Sequence, residues 1–302
     1  MTTTTPSKYL VFLALVTIQV LFGINYVVSK LLVDSFPPLL WASARVFISA
    51  LLMLLIALVL RRPHPKPDKK FFLPLIVFAI LGTVINQGCF LTGLRYTSST
   101  NSAILNTLIP VFTLLIVTIR RIEPLSSKRM LGFIFSFIGV LVLRKVETLS
   151  FSDQTLLGDL LIVLNCLSYG LFLSYSKHFF SSYDRVWGTT WLFLYGSIGL
   201  GLLAAPEWAH FHMPTLTNAM IASMLFVTLG ATLTAYFLNI WTLTYSKSSS
   251  VAIFIYLQPI VSASISYFFL GESVSLRTAI SSIIIFIGVL LVILPAKTQV
   301  KN

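Results

Sequence analysis

The sequence contains little charge, and acidic residues are especially rare. Asp, Glu, Lys and Arg make up only 10% of the 302 residues, and only nine residues are acidic. Soluble proteins carry roughly 25% charged residues, so this chain cannot keep most of its surface in water. Hydrophobic residues account for 57% of the chain. The composition therefore predicts an integral membrane protein that crosses the bilayer several times.

Cysteines and the usual catalytic motifs are also scarce. Cys89 and Cys166 both lie in apolar runs, which favours neither a disulfide framework nor a zinc site. The chain lacks the glycine-rich loop that binds ATP, the His-Glu-x-x-His pair and the Gly-x-Ser-x-Gly elbow. His210 and His212 offer only two metal ligands in an outer loop. We therefore predict no enzyme activity, no cofactor and no metal site.

Several apolar runs are long enough to cross a membrane, because a hydrocarbon core about 30 Å thick needs ~20 apolar residues as a helix. The ten runs cover approximately residues 9–30, 39–60, 71–92, 100–119, 128–144, 157–177, 187–205, 219–241, 250–270 and 275–294. Backbone groups in lipid must bond within their own segment, so we predict an all-α integral membrane protein. The first run can itself span the membrane, and we expect no cleaved signal peptide.

The Lys and Arg residues set the predicted orientation. With the N-terminus inside, 15 of them fall in inner segments and 5 in outer loops. Cytoplasmic loops carry an excess of these residues, so both termini are predicted to be cytoplasmic in a multi-pass protein of the cell inner (plasma) membrane. The same bias explains the net charge of +12, which at first suggests nucleic-acid binding. We predict contact with the lipid bilayer and no nucleic-acid partner.

One pattern occurs twice, as RYTSSTNSAILNTLIP at residues 95–110 and as TYSKSSSVAIFIYLQP at residues 244–259. At a constant offset of 149, the register continues to residues 137–141 and 286–290. We therefore predict ten transmembrane helices in two inverted five-helix repeats, residues 1–145 and 146–302. The repeats are inverted because five is odd, and the second copy then crosses the membrane in the opposite direction. Inverted repeats are the architecture of many secondary transporters.

Further residues point to a known family. A first span with Gly-x-Asn-Tyr-x-x-Ser-Lys (residues 23–30) is followed by Pro38 and Arg45, then by the repeated proline segment. With its five-plus-five duplication, the whole chain resembles the bacterial EamA-type transporters of the drug/metabolite transporter superfamily. The resemblance implies export of amino acids and other small metabolites. The related four-helix multidrug exporters carry a carboxylate in the first helix, where this chain has Gln19, so proton-coupled export of organic cations is not expected.

Polar residues at membrane depth are the candidates for binding a substrate, because a polar group in lipid is costly and should face the bundle interior or a cavity. The predicted substrate-binding residues are Gln19, Asn25, Tyr26, Arg45, Asn86, Gln87, Asn106, Tyr169, Tyr236, Asn239, Tyr256 and Gln258. Asn165 is a further polar residue in the same span as Tyr169. Hydrogen bonds between helices and packing are alternative explanations for some of these residues.

Arg45 is the most specific of these candidates. It lies about six residues into the second span, and its guanidinium can donate two parallel hydrogen bonds to a carboxylate. No acidic residue lies near the centre of a span, so a substrate anion is a suitable partner. The alternative is a side chain that reaches the outer interface or bonds to carbonyls at helix ends.

Pro110 and Pro259 are the predicted hinge or helix-break residues near the bilayer centre. Proline cannot donate its backbone nitrogen and clashes with the carbonyl four residues earlier, so the carbonyls of Asn106 and Ile255 should be freed. The alternative is that each proline only shapes a bend.

Small residues recur at matching spacing in spans 5 and 10. They are Gly132 and Gly139 in one span and Ser281 and Gly288 in the other. Small residues allow close helix approach, so these spans are predicted to pack together and not to form the site.

The sequence as a whole predicts a secondary transporter that exports amino acids or related small polar metabolites by alternating access. Its partners would be a small-molecule substrate and the bilayer, and it would act as a monomer or weak dimer. One alternative is a multidrug or organic-solute exporter of the same superfamily. Others are a channel and a membrane-embedded lipid-modifying enzyme, although the enzyme would need an acid, histidine or nucleophile cluster at membrane depth.

Overall fold

The computed structural model describes residues 6–65, 68–122, 127–143, 154–271 and 275–293, and the secondary structure in these ranges is helical. The long helices are α1 (Lys8–Val33), α2 (Pro38–Val59), α3 (Lys69–Tyr96), α4 (Ser99–Ile119), α5 (Ser127–Leu143), α6 (Gln154–Ser182), α7 (Arg185–Leu203), α8 (Asn218–Tyr245), α9 (Ser248–Phe269) and α10 (Leu276–Ile293). A short helix, Ala205–Trp208, follows α7. The predicted division between residues 145 and 146 lies outside the described residues.

The helices have the length and composition of membrane spans. Within the described residues, eight of them are long and apolar enough to cross a membrane, namely α1 to α4 and α6 to α9. The helices α5 and α10 contain 17 and 18 residues and are also strongly apolar. The expectation of an all-α, multi-pass membrane protein is confirmed.

Local sequence signals explain where the helices begin and end. The first N–H groups of a helix lack partners within it, and a short polar side chain before the helix supplies one. Ser98 accepts from the Asn101 N–H at 3.1 Å, and Asp184 accepts from the Val186 and Trp187 N–H groups at 3.0 Å. Pro38 begins α2, where a missing N–H costs nothing.

Four of the helices are irregular at mid-length. The helix α3 contains a π segment at Ile80–Ile85, and α8 contains one at Phe226–Thr234. Regular turns of α4 end at Leu105 and resume at Leu108, and α9 passes through a 3-10 turn at Phe254–Tyr256. Such interruptions within helices are frequent at functional sites.

The prolines follow the interruptions of α4 and α9. Pro110 and Pro259 are each the third residue of the helical segment that resumes after the break. Proline is tolerated there because the first turn of a helix leaves its N–H groups unpaired. The expected free carbonyl of Asn106 is not free in the structure, since it accepts a hydrogen bond from the Ile109 N–H at 3.0 Å. A tighter turn therefore compensates for the missing N–H of Pro110.

Helix packing brings the first and second halves of the chain together. The helix α2 packs along α7, α1 packs against α8 and α9, and α6 packs against α3 and α4. The pair α5 and α10 has an extensive contact, which confirms the prediction from their small residues. Gly132, Gly139, Ser281 and Gly288 are all buried.

Glycines set the closest approach between α3 and α6. A Cβ added to Gly93 would lie 2.7 Å from the Gly158 carbonyl oxygen, and one added to Gly158 would lie 2.9 Å from the Gly93 oxygen. These distances are shorter than van der Waals contact, so only glycine permits the observed separation.

Gly93→Ala should therefore destabilise the bundle by about 1–3 kcal/mol, the usual cost of overpacking. Thermal unfolding of the purified protein measures the effect. Gly88→Ala is the matched control on α3, because its added Cβ would meet only terminal methyls, of Leu39 at 3.3 Å and of Leu200 at 3.6 Å. Equal losses in the two variants would contradict the close-approach explanation.

Candidate functional site

A continuous chain of hydrogen bonds between side chains runs through the middle of the bundle. Each member donates to the next, in the order Arg45, Gln87, Asn86, Asn165, Asn106, Tyr26, Gln258 and Gln19. The members belong to α1, α2, α3, α4, α6 and α9, so this series of hydrogen bonds links the first half of the polypeptide to the second. All of these side chains are buried. In a medium of low dielectric constant, such hydrogen bonds polarise and strengthen one another.

Tyr236 of α8 joins this chain at its Gln87 and Asn86 members. Its hydroxyl accepts from the Gln87 side-chain amide and donates to Asn86 Oδ1 at 2.5 Å. It also lies 3.2 Å from the Gly82 carbonyl, which belongs to the π segment of α3. The phenol therefore ties α8 to the irregular part of α3.

Two pairs of residues that are 149 positions apart contact each other. Gln87 donates to the Tyr236 hydroxyl. Thr107 and Tyr256 belong to the repeated segments 95–110 and 244–259, and the Tyr256 hydroxyl donates to the Thr107 carbonyl at 3.2 Å. Both contacts join the first half of the chain to the second.

A cavity lies beside the hydrogen-bonded chain. Its empty volume is about 540 Å³, including its open side. Its wall is formed by Phe22, Asn25, Tyr26, Arg45, Asn86, Gln87, Phe90, Asn106, Ile109, Asn165, Tyr169, Ala231, Tyr236, Asn239, Ile255 and Gln258. Eleven of these sixteen residues carry polar groups and five are apolar. Polar groups that converge on a concave cavity beside apolar side chains are typical of a small-molecule site.

Three of the wall residues carry a fully buried polar atom without a hydrogen-bond partner in the described structure. These atoms are Arg45 Nε, the Tyr169 hydroxyl oxygen and Asn239 Oδ1. A buried polar group left without a partner is costly, and such groups are uncommon in folded proteins. These three groups are therefore available for hydrogen bonds to a molecule in the cavity.

Arg45 is the main electrostatic feature of the cavity. Its side chain is 1% exposed, and its Nη2 donates to Gln87 Oε1. The two ion pairs within the described residues, Lys30 with Asp34 and Arg62 with Asp184, do not involve it. Burial of a cation without a counter-ion is strongly unfavourable. The cavity is therefore suited to an anionic group.

The structure brings ten of the twelve predicted substrate-binding residues to the cavity wall. The other two lie just outside it. Gln19 accepts from the wall residue Gln258 at 2.5 Å, and Tyr256 points to the Thr107 carbonyl. Substrate contact by these residues stays a prediction, whereas their positions around one cavity are observed.

The polar-residue pattern did not identify the apolar part of the wall. This part consists of Phe22, Phe90, Ile109, Ala231 and Ile255. Helical periodicity contained a signal for two of them, because Phe22 precedes Tyr26 by four residues and Phe90 follows Gln87 by three. Residues at these spacings share one face of a helix.

Two lysines, Lys30 of α1 and Lys177 of α6, bind the ends of α3 and α8. Lys30 Nζ donates to the carbonyls of Leu94 and Arg95, both at 3.1 Å. Lys177 Nζ donates to the Ser246 carbonyl at 2.7 Å, directly after α8. A cation at a helix C-terminus interacts favourably with the unpaired carbonyls there. Each contact therefore fastens α1 or α6 to the end of another helix.

A second cavity lies apart from this site, near the end of α1. Its wall includes Asp34, Arg95, His210 and His212. Among the described residues, no group of three or more His, Cys, Asp or Glu side chains is close enough to hold a metal ion. The His210 and His212 pair therefore has no third ligand within the described structure.

Asn165 and Asn106 should behave as one unit in a double-mutant cycle. Either Asn165→Ala or Asn106→Ala alone interrupts the hydrogen-bonded chain. The loss in free energy of unfolding of the double variant should therefore be smaller than the sum of the two single losses, by about 0.5–3 kcal/mol. Unfolding of the four purified proteins measures this coupling. Asn165→Ala combined with Thr217→Ala is the control, because Thr217 caps the distant start of α8 through the Met220 N–H and the two effects should add.

Comparison with known proteins identifies the family. A model of the EamA-like transporter family matches the chain twice, at residues 9–145 and 156–294. A protein of Archaeoglobus fulgidus described as an uncharacterized transporter is 28% identical over 76% of this chain and 79% of its own length. The uncharacterized transporter YoaV of Bacillus subtilis is 22% identical over 92% of this chain and 95% of its own length.

A solved structure has the same fold. It is a crystal structure with a TM-score of 0.65 and 15% sequence identity to this chain. The similarity covers 95% of this chain and 98% of the other. The two family matches together cover nearly all the described helices, and the chain belongs to the EamA-like transporter family.

Proposed function

We propose that this protein is a secondary transporter of the inner membrane that exports amino acids or related small polar metabolites by alternating access. The observation that carries the proposal is Arg45, a buried cation without an acidic partner on the wall of a central cavity. The guanidinium would bind the carboxylate of the substrate through two parallel hydrogen bonds. Membership of a transporter family supports the same activity.

The proposed architecture is a ten-helix bundle of two inverted repeats, residues 1–145 and 146–302, with both termini in the cytoplasm. The two separate matches to the family model support this division. The packing supports it too, because α3 on α6 corresponds to α8 on α1, and α4 on α6 corresponds to α9 on α1. Both π segments also fall in corresponding helices, α3 and α8.

Such a duplication allows the cavity to open to either side in turn. Residues from both halves form its wall, so movement of one half against the other changes access without dismantling the site. The Lys30 contacts would close the outer side and the Lys177 contact the inner side. A bound substrate would drive the exchange only through a different affinity for the two states.

The cavity also favours a small anion over a cationic drug. None of its wall residues is acidic, and Arg45 carries the only formal charge on the part of the wall that the structure describes. An organic cation would meet a like charge in a site of low dielectric constant, which is unfavourable. The site is complete within one chain, which is compatible with a monomer or weak dimer.

Counterflow in proteoliposomes tests whether the protein acts as a carrier. Vesicles preloaded with an unlabelled amino acid or organic acid should accumulate the labelled compound transiently, as a carrier requires and a channel does not allow. Arg45→Met should weaken apparent substrate affinity at least about 30-fold, since loss of one member of a buried charge pair costs about 2–5 kcal/mol. If Arg45→Met transported every tested carboxylate as well as the unaltered protein, the role of Arg45 would be wrong.

The same variant separates binding from folding. Removal of a buried charge without a counter-ion relieves its desolvation cost, which offsets the loss of its hydrogen bond to Gln87. Arg45→Met should therefore unfold at the temperature of the unaltered protein or above it. A large fall in that temperature would instead indicate a structural role for Arg45.

The two lysine contacts give a separate prediction about access. Lys30→Met should increase exposure of the cavity to the outer side, and Lys177→Met should increase exposure to the inner side. A hydrogen bond to a charged group contributes about 1.5–3 kcal/mol, so populations should shift about tenfold or more. Labelling of Ala231→Cys by an impermeant maleimide from each side, with Cys89 and Cys166 replaced, measures the shift.

Lys247→Met is the control for this measurement. Lys247 is an exposed neighbour of Ser246 at the start of α9 and should not change labelling from either side. If both variants increased labelling from the same side, the two contacts would not close opposite faces of the protein.

A further inference from the structure

The hydrogen bonds around the cavity define what a ligand still has to supply. The polar chain uses the amides of Asn86, Asn106 and Asn165 on both their donor and acceptor sides. Each of these amides therefore already has a partner for its oxygen and one for its nitrogen. The atoms without any partner, Arg45 Nε, the Tyr169 hydroxyl oxygen and Asn239 Oδ1, are the ones whose burial a ligand would compensate most.

Asn239 presents an unpaired acceptor at a fixed position. It is 3% exposed, and its Oδ1 has no partner in the described structure. It lies three residues after Tyr236 on α8, which is about 4.5 Å along the helix axis. Tyr236 in turn is bonded to Gln87, the partner of Arg45. Asn239 and Arg45 therefore line the same cavity, and a continuous set of contacts through Tyr236 and Gln87 connects them.

Tyr169 presents an unpaired hydroxyl on the opposite helix, α6. Its ring is stacked on Phe172 at 5.7 Å between centroids and meets the edge of Tyr236 at 6.3 Å. These two contacts hold the ring in place while its hydroxyl has no partner. A phenol can both donate and accept a hydrogen bond, so it can bind a carboxylate oxygen or a second polar group.

We propose that Asn239 and Tyr169 form a second recognition point, which restricts the substrate to small carboxylic acids that also carry an amino or hydroxyl donor. The carboxylate binds Arg45, and the amino or hydroxyl group donates to Asn239 Oδ1, with the Tyr169 hydroxyl beside it. This inference rests on the proposed function, because it names the substrate class of the same site. It adds two specificity-determining residues and a chemical requirement that Arg45 alone does not impose.

The neutral character of Asn239 supports this class. An ammonium ion without a carboxylate of its own would find no acidic residue among the described wall residues. In an amino acid, the ammonium group is balanced by the adjacent carboxylate, and a hydroxy acid brings a donor without any positive charge. A carboxylate that lacks a donor would leave the buried Asn239 oxygen unpaired, and sites built to bond a substrate donor reject analogues that lack it.

The experiment compares three acids with the same carbon skeleton in counterflow with the full-length protein. Alanine, lactate and propionate form one set, and phenylalanine, phenyllactate and phenylpropionate form another that exploits the aromatic wall. In at least one set, the amino or hydroxy acid should be preferred over the unsubstituted acid by at least about tenfold. Asn239→Leu should bring this ratio close to one, because it removes the acceptor that distinguishes the three acids.

Two further variants refine the assignment. Asn239→Asp adds a negative charge and should favour the amino acid over the hydroxy acid, which separates the two donors. Tyr169→Phe keeps the ring packing and should lower the ratio, so it tests the proposal even if Asn239→Leu fails to fold. Tyr175→Phe is the matched control on α6, because Tyr175 is exposed and lies outside the cavity wall. It should leave the ratio unchanged.

The outcomes distinguish the two proposals. If carboxylic acids exchange but the unaltered protein has no preference for a donor, the second recognition point is wrong and the carrier function stands. An unchanged ratio in both Asn239→Leu and Tyr169→Phe has the same meaning. If none of the six acids exchanges, the proposed carboxylate transport fails and the inference fails with it.

Discussion

One positive charge buried in the middle of an apolar bundle is the constraint around which the rest of the site is arranged. The side chain of Arg45 is 1% exposed and has an amide but no carboxylate as its partner. A charge in this environment is tolerated only when neighbouring groups solvate it. The chain of amides and phenols that begins at Gln87 provides such groups, and it also links the helices that form the cavity.

The irregular helix segments have a common consequence. The π segment of α3 contains Gly82, whose carbonyl faces the Tyr236 hydroxyl, and the break in α4 lies at Asn106, a member of the polar chain. The corresponding helices α8 and α9 are interrupted as well. Departures from regular helix thus bring backbone and amide groups to the cavity, where helices of uniform geometry would present fewer of them.

Sequence patterns predicted the helices and most of the cavity residues, for clear physical reasons. The thickness of the hydrocarbon core requires long apolar runs, and polar side chains at that depth must turn inward. The predicted helix ends were short in places. The span expected at 157–177 extends over Gln154–Ser182, because helices continue with polar residues into the interfacial region. Wall residues such as Ile109 and Ile255 were missed because in sequence they resemble any lipid-facing side chain.

The sequence by itself determined the class of the protein, since hydropathy, charge distribution and an internal repeat are properties of one dimension. It also identified Arg45 as a cation that needed a partner. Only the tertiary structure decided which polar groups are already satisfied, because hydrogen bonds between residues as distant as Tyr26 and Gln258 depend on helix packing. The structure leaves Asn239 and Tyr169 as groups that a ligand can still bind. It also shows that the Tyr256 hydroxyl bonds to Thr107 outside the cavity wall.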